Sequence, residues 1–350
     1  MNTEDTVNTV LYAGNALGPD KISANMNDVY ASGFSTILLG LFHIGRGKGA
    51  HDPPPGDQQT GAIVFNNPNN EDPGLVVVSR GQLVAPIEWV QQLEELLKEK
   101  SGKGEVTKIG CSVGGGEVED YQTIWRWFVN NGEISPYSAL YENFKKLHDE
   151  LPFIDFIDLD CEETYSDIYP NYAKYEWKTT VIAFGNMLKQ IGFNVTICPA
   201  GDVNGWMQIL NALYKGPSEK KTVSWMNLQC YAGGEVNDPA DWVEAIDALG
   251  RGIDGASFTV PGLWCCHTDQ DYRGWTPDSM QSEFAVWKTR KKKPIALKGR
   301  FIWDYQDILA NQNSTACDPS YSKSKSSAVY CNALVNGLAG KMPPKEKAQP

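Results

Sequence analysis

Residues 155–163 read DFIDLDCEE. In an extended chain successive side chains point to opposite faces, so residues two apart share one. Asp158, Asp160 and Glu162 therefore line one face, with Ile157, Leu159 and Cys161 on the other. Three carboxylates in a row on a buried strand repel one another, and desolvation disfavours their charge. A fold keeps such a row where the members share protons and do chemistry. A solvated acidic turn is the plain alternative, but its acids would run together rather than alternate with apolar residues.

The row lies in one of eight short apolar runs bounded by Gly, Pro, Asn or Asp. They are Thr9–Ala13, Ser35–Phe42, Thr107–Val113, Phe153–Cys161, Asn194–Pro199, Val223–Tyr231, Ala256–Val260 and Arg300–Trp303. Between most of them lie stretches with apolar residues at helical spacing: Pro86–Lys100, Tyr137–Leu151, Lys174–Ile191, Trp206–Tyr214, Pro239–Leu249 and Pro277–Arg290. Strands alternating with helices predict an α/β fold with a parallel sheet covered by helices. Closure into a (β/α)₈ TIM barrel removes both sheet edges. An open doubly wound sheet is the rival, and no GxGxxG turn supports it. The reading is a single barrel over residues 1–338. A long loop with a hairpin spans about 43–80, around DPPPG at 52–56 and the runs AIVF and LVVV. Residues 339–350 read as a disordered tail. Barrel enzymes place their catalysts at the C-terminal ends of strands, which is where Glu162 falls.

The pattern DxxDxDxE, met by Asp155, Asp158, Asp160 and Glu162, resembles the signature of glycoside hydrolase family 18, the chitinases and endo-β-N-acetylglucosaminidases. Phe156 stands where that signature usually has glycine. One strand earlier, Ser112-Val113-Gly114-Gly115 is similar to the family's SxGG. On the sixth strand, Gln229-Cys230-Tyr231 is similar to its QxYN motif, with Ala232 in place of the final Asn. On the eighth, Trp303 matches the tryptophan that floors the cleavage subsite. The resemblance implies a retaining hydrolase acting on β-1,4-linked N-acetylglucosamine polymers, without a second protein nucleophile. Glu162 would protonate the glycosidic oxygen while the substrate's own acetamido carbonyl forms an oxazolinium ion. Asp160 would balance that ion, Asp158 would share a proton with Asp160, and Tyr231 would hold the acetamido oxygen. Nearby like charges should raise the pKa of Glu162. No metal or cofactor is implied. Many family members insert an α+β domain after the seventh strand. Only about twenty residues, Pro261–Met280, stand there, so no large insertion is expected and the cleft should be open.

Several residues keep two readings. Ser112, Gly114 and Gly115 either touch substrate or allow tight strand-to-loop packing. Tyr231 and Trp303 are either site residues or core. Trp264 and Trp206, just past the seventh and fifth strands, either stack on sugars in outer subsites or pack. Gln229 counts with the substrate contacts. Glu163 faces away from Glu162 and reads as a loop or supporting group, and His43 as a packed histidine.

Composition narrows the partners. The net charge of −12 argues against nucleic acid, whose phosphates an acidic chain repels. No run of about 18 or more apolar residues suggests a membrane span. The start, MNTEDTVNTV, lacks the basic and apolar regions of a secretory signal, so the location stays open between the cytoplasm and export by another route or after removal of a signal. Cys111, Cys161, Cys198 and Cys230 sit in apolar runs and read as buried thiols; Cys317 and Cys331 could pair. The rivals to a chitinase are an endo-β-N-acetylglucosaminidase acting on N-glycan cores, a non-catalytic chitin- or glycan-binding lectin on the same scaffold, and an assembly subunit whose barrel only binds a partner.

Overall fold

The computed structural model describes residues 8–45, 61–65, 74–97, 106–128, 134–164, 175–214, 223–266, 274–288, 295–312 and 324–344. Its strands are β1 (Asn8–Tyr12), β2 (Thr36–Ile44), β3 (Ile63–Phe65), β4 (Leu75–Ser79), β5 (Gln82–Leu83), β6 (Lys108–Gly115), β7 (Ile154–Cys161), β8 (Asn194–Ile197), β9 (Val223–Gln229), β10 (Thr259–Trp264) and β11 (Gly299–Trp303). Eight of them, β1, β2 and β6 through β11, pair in parallel, and pairing of β1 with both β2 and β11 closes the ring. This is the (β/α)₈ barrel expected from the sequence. The strands β3, β4 and β5 form an antiparallel extension. It starts at the top of β2, where Ile44 pairs with Ile63, above the last contact of β2 with β1 at Leu38. This places a hairpin inside the 43–80 segment, whose residues 46–60 and 66–73 lie outside the described set.

The helices are α1 (Ile22–Ser32), α2 (Ile87–Glu95), α3 (Asp120–Phe128), α4 (Ala139–Glu150), α5 (Trp177–Ile191), α6 (Val203–Leu213), α7 (Pro239–Ala248), α8 (Gly255–Phe258), α9 (Pro277–Trp287), α10 (Tyr305–Asn311) and α11 (Ser327–Leu338). Side-chain N-caps start several: Ser138, Asp202, Asp238, Thr276 and Asp304 each accept from a backbone N–H of the first turn. The seventh barrel strand differs from the sequence reading. Residues 255–258 form α8, capped by Asp254, and the strand runs from Thr259 to Trp264. Pro261 had marked its end, yet the chain continues extended through it. Residues 339–341 are held to α11 and α9: Lys341 N–H donates to the Asn336 carbonyl, and Gln281 Nε2 donates to the Lys341 carbonyl. Residues 345–350 of the expected tail lie outside the described set.

Two apolar cores flank the barrel wall. Outward-facing strand residues such as Ile157, Leu159 and Cys161 pack against the helices. Inside, Val10, Leu38, Phe156, Trp225, Val260 and Phe301 fill the barrel below the acid row. Large rings there are matched by glycines on neighbouring strands. A Cβ on Gly110 would lie 2.5 Å from the Phe156 ring, and one on Gly262 2.2 Å from Phe301. Gly110 pairs with Phe156 and Gly262 with Phe301, so each small residue makes room for the large one beside it. Phe156, the departure from the signature glycine, is accommodated by Gly110 on the neighbouring strand.

The thiols of Cys111, Cys161, Cys198 and Cys230 are buried and outside any disulfide, as expected. The Cys317–Cys331 pairing does not form. Cys331 is a buried thiol in α11, whereas Cys266 is disulfide-bonded; Cys317 lies outside the described residues. Among those residues no helix is long and apolar enough to cross a membrane.

Candidate active site

Strand alternation brings Asp158, Asp160 and Glu162 to the inner side of β7, as its spacing predicted. Asp158 lies deepest and is fully buried. It accepts from Tyr12 Oη (2.8 Å) and Ser112 Oγ (3.0 Å) at Oδ2, and from Thr196 Oγ1 (2.5 Å) and Asn227 Nδ2 (3.0 Å) at Oδ1. These donors come from β1, β6, β8 and β9, so four strands converge on one carboxyl. Trp225 Nε1 donates to Asn227 Oδ1 (2.9 Å) and fixes that amide. Asp160 is also buried. Its Oδ1 accepts from Gln229 Nε2 at 3.0 Å, and the same amide reaches Glu162 Oε1 at 3.1 Å. Gln229 thus links the two upper acids. Glu162 follows the strand and is only partly buried, its Oε2 lying 3.1 Å from where a Cβ on Gly116 would stand.

The electrostatics follow from this packing. Burial first, then the neighbouring Glu162 and Asp158 charges, hold the Asp160 carboxyl well above the usual carboxylate range. Burial raises Asp158 as well, partly offset by its four donors. Asp160 is therefore more apt than Asp158 to keep a proton. Burial beside Cys198 and the acids pushes the Tyr231 phenol far up, so it stays a protonated donor. Asp304, just above Trp303, is pushed up to about 6 by burial.

The SxGG segment works mainly through the backbone. Ser112 is fully buried and holds Asp158, so the substrate-contact reading of Ser112 is corrected to a supporting one. Gly114 and Gly115 both have positive φ. A Cβ on Gly114 would sit 2.1 Å from the Asp160 carbonyl, and one on Gly115 2.5 Å from Leu41 Cδ1. A side chain on Gly114 would displace the strand carrying the acids, and one on Gly115 would press on Leu41 of β2 in a backbone conformation that disfavours any Cβ, so these glycines too serve packing.

Tyr231, Trp264 and Trp303 gather above the barrel interior. The Tyr231 and Trp264 rings stack at 5.7 Å with an interplanar angle of 22°, and Trp303 leans on Tyr12 at 5.3 Å. Trp264 and Trp303 are adjacent in register and partly exposed, leaving ring surface for a ligand. Ala232 is exposed at φ 43°, with only a methyl group where the family motif has an amide. Trp206 is a correction. It lies on the buried face of α6 with its ring edge-on to Trp177 at 5.6 Å and 0% exposed, so it cannot stack on a sugar. His43 is packed, as read, with Nδ1 2.7 Å from Asp120 Oδ2.

Sequence reasoning missed Tyr12, Thr196, Asn227 and Cys198. Each is a polar residue or thiol in or beside an apolar strand. Asn227 precedes Gln229 by two positions and so shares its face, which is a signal the sequence carries. Among the described residues no group of His, Cys, Asp or Glu is arranged to hold a metal ion.

No protein-family model and no curated protein sequence matches the chain. Solved structures do. A glycoside hydrolase family 18 chitinase from Pseudoalteromonas aurantia superposes with a TM-score of 0.51 at 14% identity, covering 94% of this chain and 99% of that one. The catalytic domain of a hyperthermophilic chitinase from Pyrococcus furiosus gives 0.54 at 11% identity, covering 95% of each. Catalytic-site mutants of a second active domain from that organism's thermostable chitinase, complexed with chito-oligosaccharides, give 0.53 at 10% identity, covering 95% and 94%. The chain has the fold of the family 18 chitinases.

Proposed function

We propose that the chain is a retaining glycoside hydrolase that cuts β-1,4-linked N-acetylglucosamine chains by substrate-assisted catalysis. The observation that carries this reading is the row Asp158–Asp160–Glu162 on the inner face of β7, with Gln229 tying its upper two members together. Glu162, the least buried acid, protonates the departing oxygen. The substrate's acetamido carbonyl attacks the anomeric carbon, which replaces a second protein carboxylate. Asp160 accepts from the acetamido N–H and, once the proton it holds in the free site has passed to Asp158, offsets the positive charge of the oxazolinium as a carboxylate. Asp158 shares that proton, and its four hydrogen-bond partners fix it in place below Asp160. The Tyr231 hydroxyl donates to the acetamido oxygen, and Trp303 stacks beneath the distorted sugar. Glu162 then takes a proton from the water that opens the intermediate.

The retained Glu162 favours hydrolysis over a lectin role. Chitin-type chains and N-glycan cores share this chemistry. Incubation with N-acetylglucosamine oligomers and with a high-mannose glycopeptide, read by mass spectrometry, separates them. Shortened oligomers are expected, with the first product seen as the β anomer by NMR. Cleavage of the glycopeptide alone would assign the core-cutting activity, and an α product would exclude substrate assistance.

A further inference from the structure

The turn leaving β7 carries two consecutive glutamates that face opposite ways. Glu162 lies over Gly116 and is tied to Gln229. Glu163 turns toward α3, where both of its carboxyl oxygens are sealed from solvent. Gln122 approaches and offsets part of the burial, but no hydrogen bond of ordinary geometry reaches either oxygen. Thr164 N–H donates to the Glu162 carbonyl (2.9 Å) and closes the turn, so the two side chains share one short, stiff link.

The surroundings oppose a charge on Glu163. Asp120 and Glu119 face it from the start of α3, Cys161 from β7, and Tyr175 from the approach to α5. Asp120 has both oxygens in use: Oδ2 lies 2.7 Å from His43 Nδ1, and Oδ1 accepts from the Ile44 N–H at 2.7 Å. It meets Glu163 as a like charge rather than as a partner. A neutral acid suits this place; a carboxylate does not.

We propose that Glu163 is a positioning residue: as a neutral acid it seats the 162–164 turn against α3 and so holds Glu162 over the cavity, and its ionisation releases the turn and withdraws the proton donor. The catalytic part rests on Glu162 being the general acid; the conformational part does not. Burial, then the Asp120 and Glu119 charges, push the Glu163 carboxyl up to about 9. A group whose proton is held more tightly in the folded state loses its stabilising contribution as pH rises from its unfolded value, about 4.3, through its folded one.

The test compares wild type with Glu163→Gln, which keeps the shape and removes the titration. The melting temperature of wild type should fall relative to the variant between pH 5 and 9, by roughly 5 °C or more, and run parallel above that. Parallel curves across the whole range would overturn the proposal. A second arm needs only wild type. A glutamate-specific protease should open the 162–164 turn above pH 9 and leave it intact at pH 7; equal resistance at both would also overturn it. The third arm separates positioning from plain stability. With N-acetylglucosamine oligomers well below the melting temperature, wild-type kcat should show a fall near pH 9 with KM held, separate from the one set by the ionisation of Glu162 itself, and Glu163→Gln should lack it. An unchanged profile contradicts the link to Glu162. If no oligomer is cut at any pH, the proposed hydrolase function fails, while the melting and proteolysis arms still decide what Glu163 does.

Discussion

The inside of the barrel is built twice over, once as a floor and once as a mouth. Below the acid row, Val10, Leu38, Phe156, Val260 and Phe301 fill volume, and Gly110 and Gly262 are sized to the rings beside them. At the level of the row, β1, β6, β7, β8 and β9 present Tyr12, Ser112, Asp158, Asp160, Thr196, Asn227 and Gln229, joined by hydrogen bonds. The floor is specified by volume and the mouth by donor and acceptor count. A packed floor tolerates shape-conserving change. A polar network does not, because each lost partner strands a buried group.

That contrast can be broken from either side. The largest effect is expected at the floor's centre. Phe301 lies 5.1 Å from the Tyr12 ring and 6.0 Å from Tyr231, so it supports both site tyrosines from below. Phe301→Ala should destabilise by about 3–5 kcal/mol in denaturant unfolding. A loss under about 1 kcal/mol would mean the floor is not packed as described. A smaller effect is expected at the mouth. Tyr12→Phe keeps the ring and removes one of four donors to Asp158, so stability should fall by only about 1 kcal/mol. That donor favours the ionised form, so its loss raises the Asp158 pKa further. The acid limb of the pH–rate profile should therefore move to higher pH, with kcat lower by roughly tenfold. An unmoved acid limb would separate Asp158 from the titrating group.

The same contrast explains what was legible in the sequence. The barrel and the acid row were readable because period-two alternation and βα rhythm are local. The cage around Asp158 was not, because its donors come from four strands far apart in sequence, and only closure of the ring brings them together. Trp206 kept two readings because a tryptophan after a strand looks the same whether its helix turns it inward or out; it packs. The helix α1 went unremarked because Ile22–Ser32, ISANMNDVYAS, carries Asn, Ser and Asp among few apolar residues. Packing rather than intrinsic propensity makes it helical. Gly114 and Gly115 kept two readings in the sequence, and the 2.1 Å approach of a Gly114 Cβ to the Asp160 carbonyl decides for packing at that position.

The central claim is that the last member of the acid row donates the proton. Glu162→Gln keeps the side chain's volume and its contact with Gln229 and removes only the acid. The measurement is turnover of N-acetylglucosamine oligomers beside calorimetric binding of the same oligomers to the variant. Turnover should fall at least roughly 10³-fold with binding retained. Full turnover in Glu162→Gln would contradict that claim.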